Sequence, residues 1–347
     1  MSRNKIAANK TIFQALDEYC QQRDDPIRNA GTKRWISTKH HDRDFLVRAH
    51  VAYQLTFSAS VKIARFDFSK KTYFVTFGID NPNPPEGLVP ELLTGGLLTA
   101  ALSELQPRPI ARASEIRNIV EFADGSDHDY KGHDPDMIAG LFPKAQVFSA
   151  ASLIPEDTLK VCFLICLADR RRIEQWIDEN LARTLVAIAD LSTMSIPFVS
   201  LCRSLLDMDP RSLFLSLYRC LESLYAYTHT QRLMTAVGVK MDWADLAAML
   251  EQTLGWYPRE EPSLQALLDD AVLGDLRAVA AALNEAIPSS ANETAFVAKK
   301  IYELRNVLVH YRPFHHKSQF GDVDWNRLCY AMTCLVWHTH QDVSAAF

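Results

Sequence analysis

Two hydrophobic periods run through this chain, and the point where one of them ceases divides it. From Val51 to Ile79 the period is two: Val51, Tyr53, Leu55 and Phe57 alternate with Ala52, Gln54 and Thr56, and Tyr73, Val75, Phe77 and Ile79 do the same. With residues 61–68 between them and Ser69-Lys70-Lys71 as a turn, this predicts a three-stranded antiparallel meander. Asn81-Pro82-Asn83-Pro84-Pro85 ends it. Beyond Met208-Asp209-Pro210 only the 3.6-residue period remains. The expected architecture is an α+β domain with a small antiparallel sheet over residues 1–200, then an all-α helical bundle over 208–347. The boundary is expected between Ser192 and Pro210.

The first domain names no chemistry. Helices are predicted over 11–22, 91–105, 114–122 and 170–190, and the apolar run KVCFLICLA (160–168) reads as a strand buried on both faces. Residues 28–48 are basic and read either as a solvated lead-in or as an arm facing nucleic acid. The segment DGSDHDYKGHDPD (124–136) is the most polar of the chain. Its spacing matches neither an EF-hand loop nor a zinc site, so it reads as an exposed acidic loop. A regulatory or sensing role is what remains for this region.

Composition narrows the class. A net charge of −5 over 347 residues argues against indiscriminate coating of nucleic acid while allowing a local basic patch. The opening MSRNKIAANKTIF lacks an apolar core, and no stretch approaches eighteen uninterrupted apolar residues. Seven cysteines lie scattered without a C-x-x-C pair, so the reading is a reducing cytoplasm, without disulfides, zinc or membrane contact. No P-loop or G-x-S-x-G signature is present, and no cofactor is expected.

In the helical half, the spacing predicts a long helix from Pro210 to about Arg232, then helices over 242–254, 262–271 and 275–286, one capped by Asn292, and a last one over 322–343. The helix after Asn292 carries IYELRNVLVHYRP (301–313). Ile301, Leu304, Leu308 and Tyr311 fall on one buried stripe, and Pro313 stops the helix. At 100° per residue, Asn306 and His310 lie one turn apart away from that stripe, with Arg305 on its flank. A cation, an amide and an imidazole on one outer face suit the handling of phosphate.

A helical domain of this length with Arg-Asn-x-x-x-His in its penultimate long helix resembles the HEPN superfamily (higher eukaryote and prokaryote nucleotide-binding domains). The resemblance covers about residues 208–347. Its ribonuclease members carry Arg-x4–6-His at this place, often with a polar residue after the arginine, which maps onto Arg305, Asn306 and His310. Arg34…His40 fits the same spacing but lies outside the helical domain. The resemblance implies a metal-independent endoribonuclease, a homodimer with one composite cleft, acting on RNA as a toxin or phage-defence effector. A regulatory partner or antitoxin would then be in keeping. Arg305 would clamp the phosphorane, His310 transfer protons, and Asn306 orient the imidazole or phosphate. Glu222, placed off the apolar stripe of the first helix of the domain, is a candidate to orient Arg305. His315, His316 and Lys317 are candidates to grip RNA, and Tyr311 is either core or site. The other function open to such a domain is a non-catalytic binding or dimerisation module.

Overall fold

The computed structural model describes residues 3–30, 33–40, 42–121, 130–150, 157–169, 176–191, 195–310 and 323–345. The chain forms two compact units, Met1–Arg170 and Arg171–Phe347.

The first unit opens with α1 (Lys5–Gln21), which starts earlier than its periodicity predicts because the Asn4 side chain caps it, accepting from Ile6 N and Ala7 N. Its inner face, Ala8, Ile12, Phe13, Leu16 and Cys20, is buried. After α2 (Asp42–Arg48) come β1 (His50–Thr56), β2 (Lys62–Phe68) and β3 (Lys71–Phe77), paired antiparallel in sequence. The β2–β3 turn is two residues long, with Ser69 and Lys70 both at positive φ (50° and 62°). That geometry matches the twist of the flanking strands. The meander is thus as read, but the sheet is larger. A two-residue β4 (Val89–Pro90) and β5 (Ala145–Ala150) extend it in the order β1-β2-β3-β5-β4, every pair antiparallel.

One sheet face (Ala64, Phe66, Val75, Phe77, Val147) joins the core with α1, α2, α3 (Gly95–Leu105) and α4 (Ala113–Val120). The opposite face is also buried at Ile63, Arg65, Phe74, Thr76 and Phe148. There Arg65 Nη1 donates to Thr158 Oγ1 at 2.5 Å. Beyond the short α5 (Pro135–Ala139), Thr158 opens α6 (Thr158–Leu167). This corrects the strand expected over 160–168. A short run that is apolar throughout has no period to separate a buried strand from a buried helix, and here Cys162, Phe163, Ile165, Cys166 and Leu167 are buried around a helix.

The polar segment is corrected in part. Residues 124–129 lie outside the described residues, but its second half is built into the unit. Ile36 and His133 form a parallel bridge, both are buried, and Asp134 caps α5. The basic stretch is correspondingly not all lead-in.

The second unit holds α7 (Glu179–Ala189), capped by Asp178, and α8 (Phe198–Leu206). It continues with α9 (Pro210–Glu222), α10 (Tyr225–Val237), α11 (Trp243–Leu254), α12 (Glu260–Leu268), α13 (Leu273–Ala282), α14 (Glu293–Val309) and α15 (Trp325–Ala345). No strand occurs among its described residues. The division at Arg170 falls upstream of the boundary read from periodicity, because α7 packs on α15 and α8 on α9. The helix predicted from Pro210 to Arg232 is two, broken where Leu224 leaves helical geometry (φ −102°, ψ 1°). None of the seven cysteines forms a disulfide, and six of them are buried. Among the described residues no helix is long and apolar enough to cross a membrane.

Asn292 accepts from Ala295 N at 3.0 Å and starts α14. Asn292→Ala is expected to cost about 1 kcal/mol, read as a fall in midpoint on chemical unfolding; an unchanged midpoint would show that the cap contributes nothing.

Candidate active site

Helix α14 is fastened by Val297, Ala298, Ile301 and Leu304, all buried, while Leu308 is half-buried. Arg305 follows on the flank of that stripe and turns towards two other helices. Its Nη2 lies 3.1 Å from Glu260 Oε1 at the start of α12 and 3.8 Å from Glu222 Oε1 at the end of α9. Nη1 donates to Asn306 Oδ1 at 3.0 Å. The guanidinium carbon sits 5.7 Å from the centroid of the Tyr218 ring. Only 17% of the Arg305 side chain is exposed, against 34% for Glu222 and 38% for Glu260. Arginine suits this position: its fork can serve several acceptors at once and its face can lie over an aromatic ring.

Behind the guanidinium are two buried phenols. Tyr225 donates from its hydroxyl to that of Tyr218 at 2.8 Å. Burial pushes the Tyr218 phenol up to about 12, with Glu222 and Glu260 adding to the effect. Tyr225 is raised further, first by burial and then by Tyr218. Both stay protonated and can act as hydrogen-bond donors. Burial also raises the Glu222 carboxyl above the ordinary range; Arg305 opposes that rise and Glu260 reinforces it. The site thus gathers a fixed cation, an amide, two phenols and two carboxyls.

His310 caps the helix rather than lying inside its last turn. Helix α14 ends at Val309, and His310 is an exposed cap residue in extended geometry (φ −104°, ψ 111°) whose N–H donates to Asn306 O at 2.9 Å. The two exposed β-branched residues Val307 and Val309 give the last turn little to bury and low intrinsic helix preference, so the helix stops before Pro313 could act. Among the described residues no side-chain hydrogen bond or ion pair joins the His310 ring to Arg305 or Glu222. Tyr311, His315, His316 and Lys317 lie outside the described residues.

The structure therefore brings Arg305, Asn306 and Glu222 together and adds Glu260, Tyr218 and Tyr225, which sequence reasoning missed. The two tyrosines lie either side of the break at Leu224, so no helical spacing announced them, and Glu260, 45 positions before Arg305, had no signal either. The rival pair is differently employed. Arg34 is held by both carboxylate oxygens of Asp17 (2.9 and 2.5 Å) above the Phe13 ring, and His40 is exposed. No group of three or more His, Cys, Asp or Glu side chains placed to hold a metal occurs among the described residues. Comparison with protein-family models, curated proteins and solved structures gave no match.

Proposed function

We propose that the second unit is a HEPN-type, metal-independent endoribonuclease that works as a homodimer in the cytoplasm, as a toxin or phage-defence effector controlled through the first unit or a protein partner. The observation that supports this reading is the fixing of Arg305, next to Asn306 and five residues before His310, by groups from three helices. Preorganised positive charge of this kind is what stabilises charge developing on phosphorus.

In the reaction proposed, a base removes the proton of the 2′-hydroxyl and the O2′–P bond forms. Arg305 neutralises the equatorial oxygens, the P–O5′ bond breaks, and an acid protonates the departing 5′-oxygen. The products are a 2′,3′-cyclic phosphate and a 5′-hydroxyl. One histidine cannot readily be base and acid in the same event, so each chain of a dimer supplies a His310.

Purified protein incubated with RNA is expected to yield those ends with chelator present, to leave DNA intact, and to sediment as a dimer. Cleavage that stops with chelator, or full activity from a monomer, would overturn this mechanism. One observation favours a non-catalytic binding module instead: Arg305 is already engaged by Glu260 and Glu222. RNA that is bound but never cut would establish that reading.

A further inference from the structure

The first unit contains a groove of about 750 Å³ along α1, walled on one side by Lys5, Asn9, Lys10 and Phe13 and on the other by Lys33 and Trp35. Its walls are fastened. Asn9, buried, accepts from Ile36 N at 2.8 Å and donates to Lys5 O at 2.9 Å, while the Arg34–Asp17 pair closes the far end. The Trp35 indole is also fixed. Its ring meets that of Tyr130 edge-on at 4.3 Å, and its backbone N donates to the Tyr130 hydroxyl at 3.0 Å. At its Nε1 edge a Cβ on Gly132 would come within 2.5 Å, and Gly132 has φ +98°. Only glycine fits there.

Charge in the groove is lopsided. Lys5, Lys10, Lys33 and Arg34 face one carboxylate, Asp17, and Arg34 already occupies it. None of the three lysines has a carboxylate within 4.0 Å among the described residues. Lys5 instead approaches Thr38 Oγ1 at 3.4 Å, and burial together with Arg43 lowers its pKa. Three ammonium groups without a carboxylate partner among the described residues, beside two rings in a chain of net charge −5, make a local exception that calls for an anion.

We propose that this groove is a nucleotide-binding site, its lysines taking the phosphates and Trp35 stacking on the base. Lysine is a sound phosphate ligand, aromatic faces stack on any base, and the volume suits a small ligand rather than a duplex. The nucleotide is either free or the end of a single strand. The assignment is independent of the ribonuclease reading.

The test is calorimetric titration of the full chain with ATP, GTP, inorganic tripolyphosphate and a short single-stranded oligonucleotide made resistant to cleavage by 2′-O-methylation. Saturable binding of nucleotide or oligonucleotide is expected, weakened at least about tenfold by Lys10→Glu and by Lys33→Glu. Both side chains are exposed, so the fold should survive the change. Trp35→Phe keeps a ring and should bind within a few-fold while losing its share of the indole quenching. Lys240→Glu, an exposed change in the second unit, should bind as well as wild type. Stronger response to the mononucleotides assigns the site to free nucleotide; stronger response to the oligonucleotide assigns it to a strand end. Absence of saturable binding, indifference to both lysine variants, or tripolyphosphate binding as tightly as ATP would overturn the proposal.

Discussion

RNA exposed to Arg305→Ala or His310→Ala protein is expected to be cut at least about a hundredfold more slowly than by wild type, the usual scale for losing a charge clamp or a proton-transfer group. Arg34→Ala and His40→Ala should cleave at close to the wild-type rate, because Arg34 serves Asp17 and Phe13 in the first unit. Dead Arg34 and His40 variants alongside active Arg305 and His310 variants would place the chemistry elsewhere and remove the HEPN reading. The two active-site variants should differ in stability. His310 is exposed, so its loss should cost less than about 0.5 kcal/mol. Arg305 is not a free surface cation, and its removal leaves Glu222 and Glu260 facing each other. With about a third of each carboxylate exposed to screening, we expect a cost of about 1–2 kcal/mol.

The sign of the pH dependence follows from Glu222. Burial raises its folded-state pKa and Arg305 holds that rise back, so deleting Arg305 raises it further. A carboxyl raised on folding costs stability above its folded pKa, and the cost vanishes below the unfolded value, about 4.3. Arg305→Ala should therefore lag wild type most near neutrality and approach it near pH 4 on chemical unfolding. Arg305→Lys separates the two effects, since it keeps the charge between the carboxylates yet cannot present two parallel donors to phosphate. It should be stable and inactive. An active lysine variant would show that bidentate geometry is not needed.

What the sequence made legible depended on how far each feature is local. The meander and the capped helices follow from alternation, turns and single side chains, so β1–β3 and the starts of α9, α11 and α14 stand where they were predicted. Residues 160–168 failed because a wholly apolar run carries no period. Residues 145–150 are short and mixed, and become a strand only through pairing with β3. The site divides in the same way. Arg305 and Asn306 are adjacent and readable, whereas Glu260 is brought to them by the packing of α12 on α14. The end of α14 was readable only to within a residue, and His310 is its cap rather than part of its last turn.

The close approach of α2 to α3 was not legible at all, and it carries the largest stability effect we expect. Gly95 and Gly96 open α3, where sequence alone recommends replacement, since alanine is favoured over glycine inside a helix by about 1 kcal/mol. The geometry reverses that sign. A Cβ on Gly96 would lie 2.1 Å from the Asp42 carbonyl oxygen and 2.8 Å from its carbon, and one on Gly95 would lie 2.1 Å from the Ser37 carbonyl oxygen. These are backbone atoms at the start of α2 and in the segment before it, so no side-chain rotation can relieve the clash; α2 and α3 must part. Overpacking normally costs about 1–3 kcal/mol where side chains can adjust, and with backbone opposing we expect about 3 kcal/mol or more for Gly96→Ala. For a unit of this size that is a fall of roughly 6–12 °C in the melting midpoint. Gly140→Ala is the control. Gly140 lies at φ −62°, and its added Cβ would meet nothing nearer than 3.5 Å, so its change should stay within about 0.5 kcal/mol. A Gly96→Ala protein as stable as wild type would mean that α2 does not rest on α3 in this way, and the wall that α2 and Ser37 give the first unit's core would have to be redrawn.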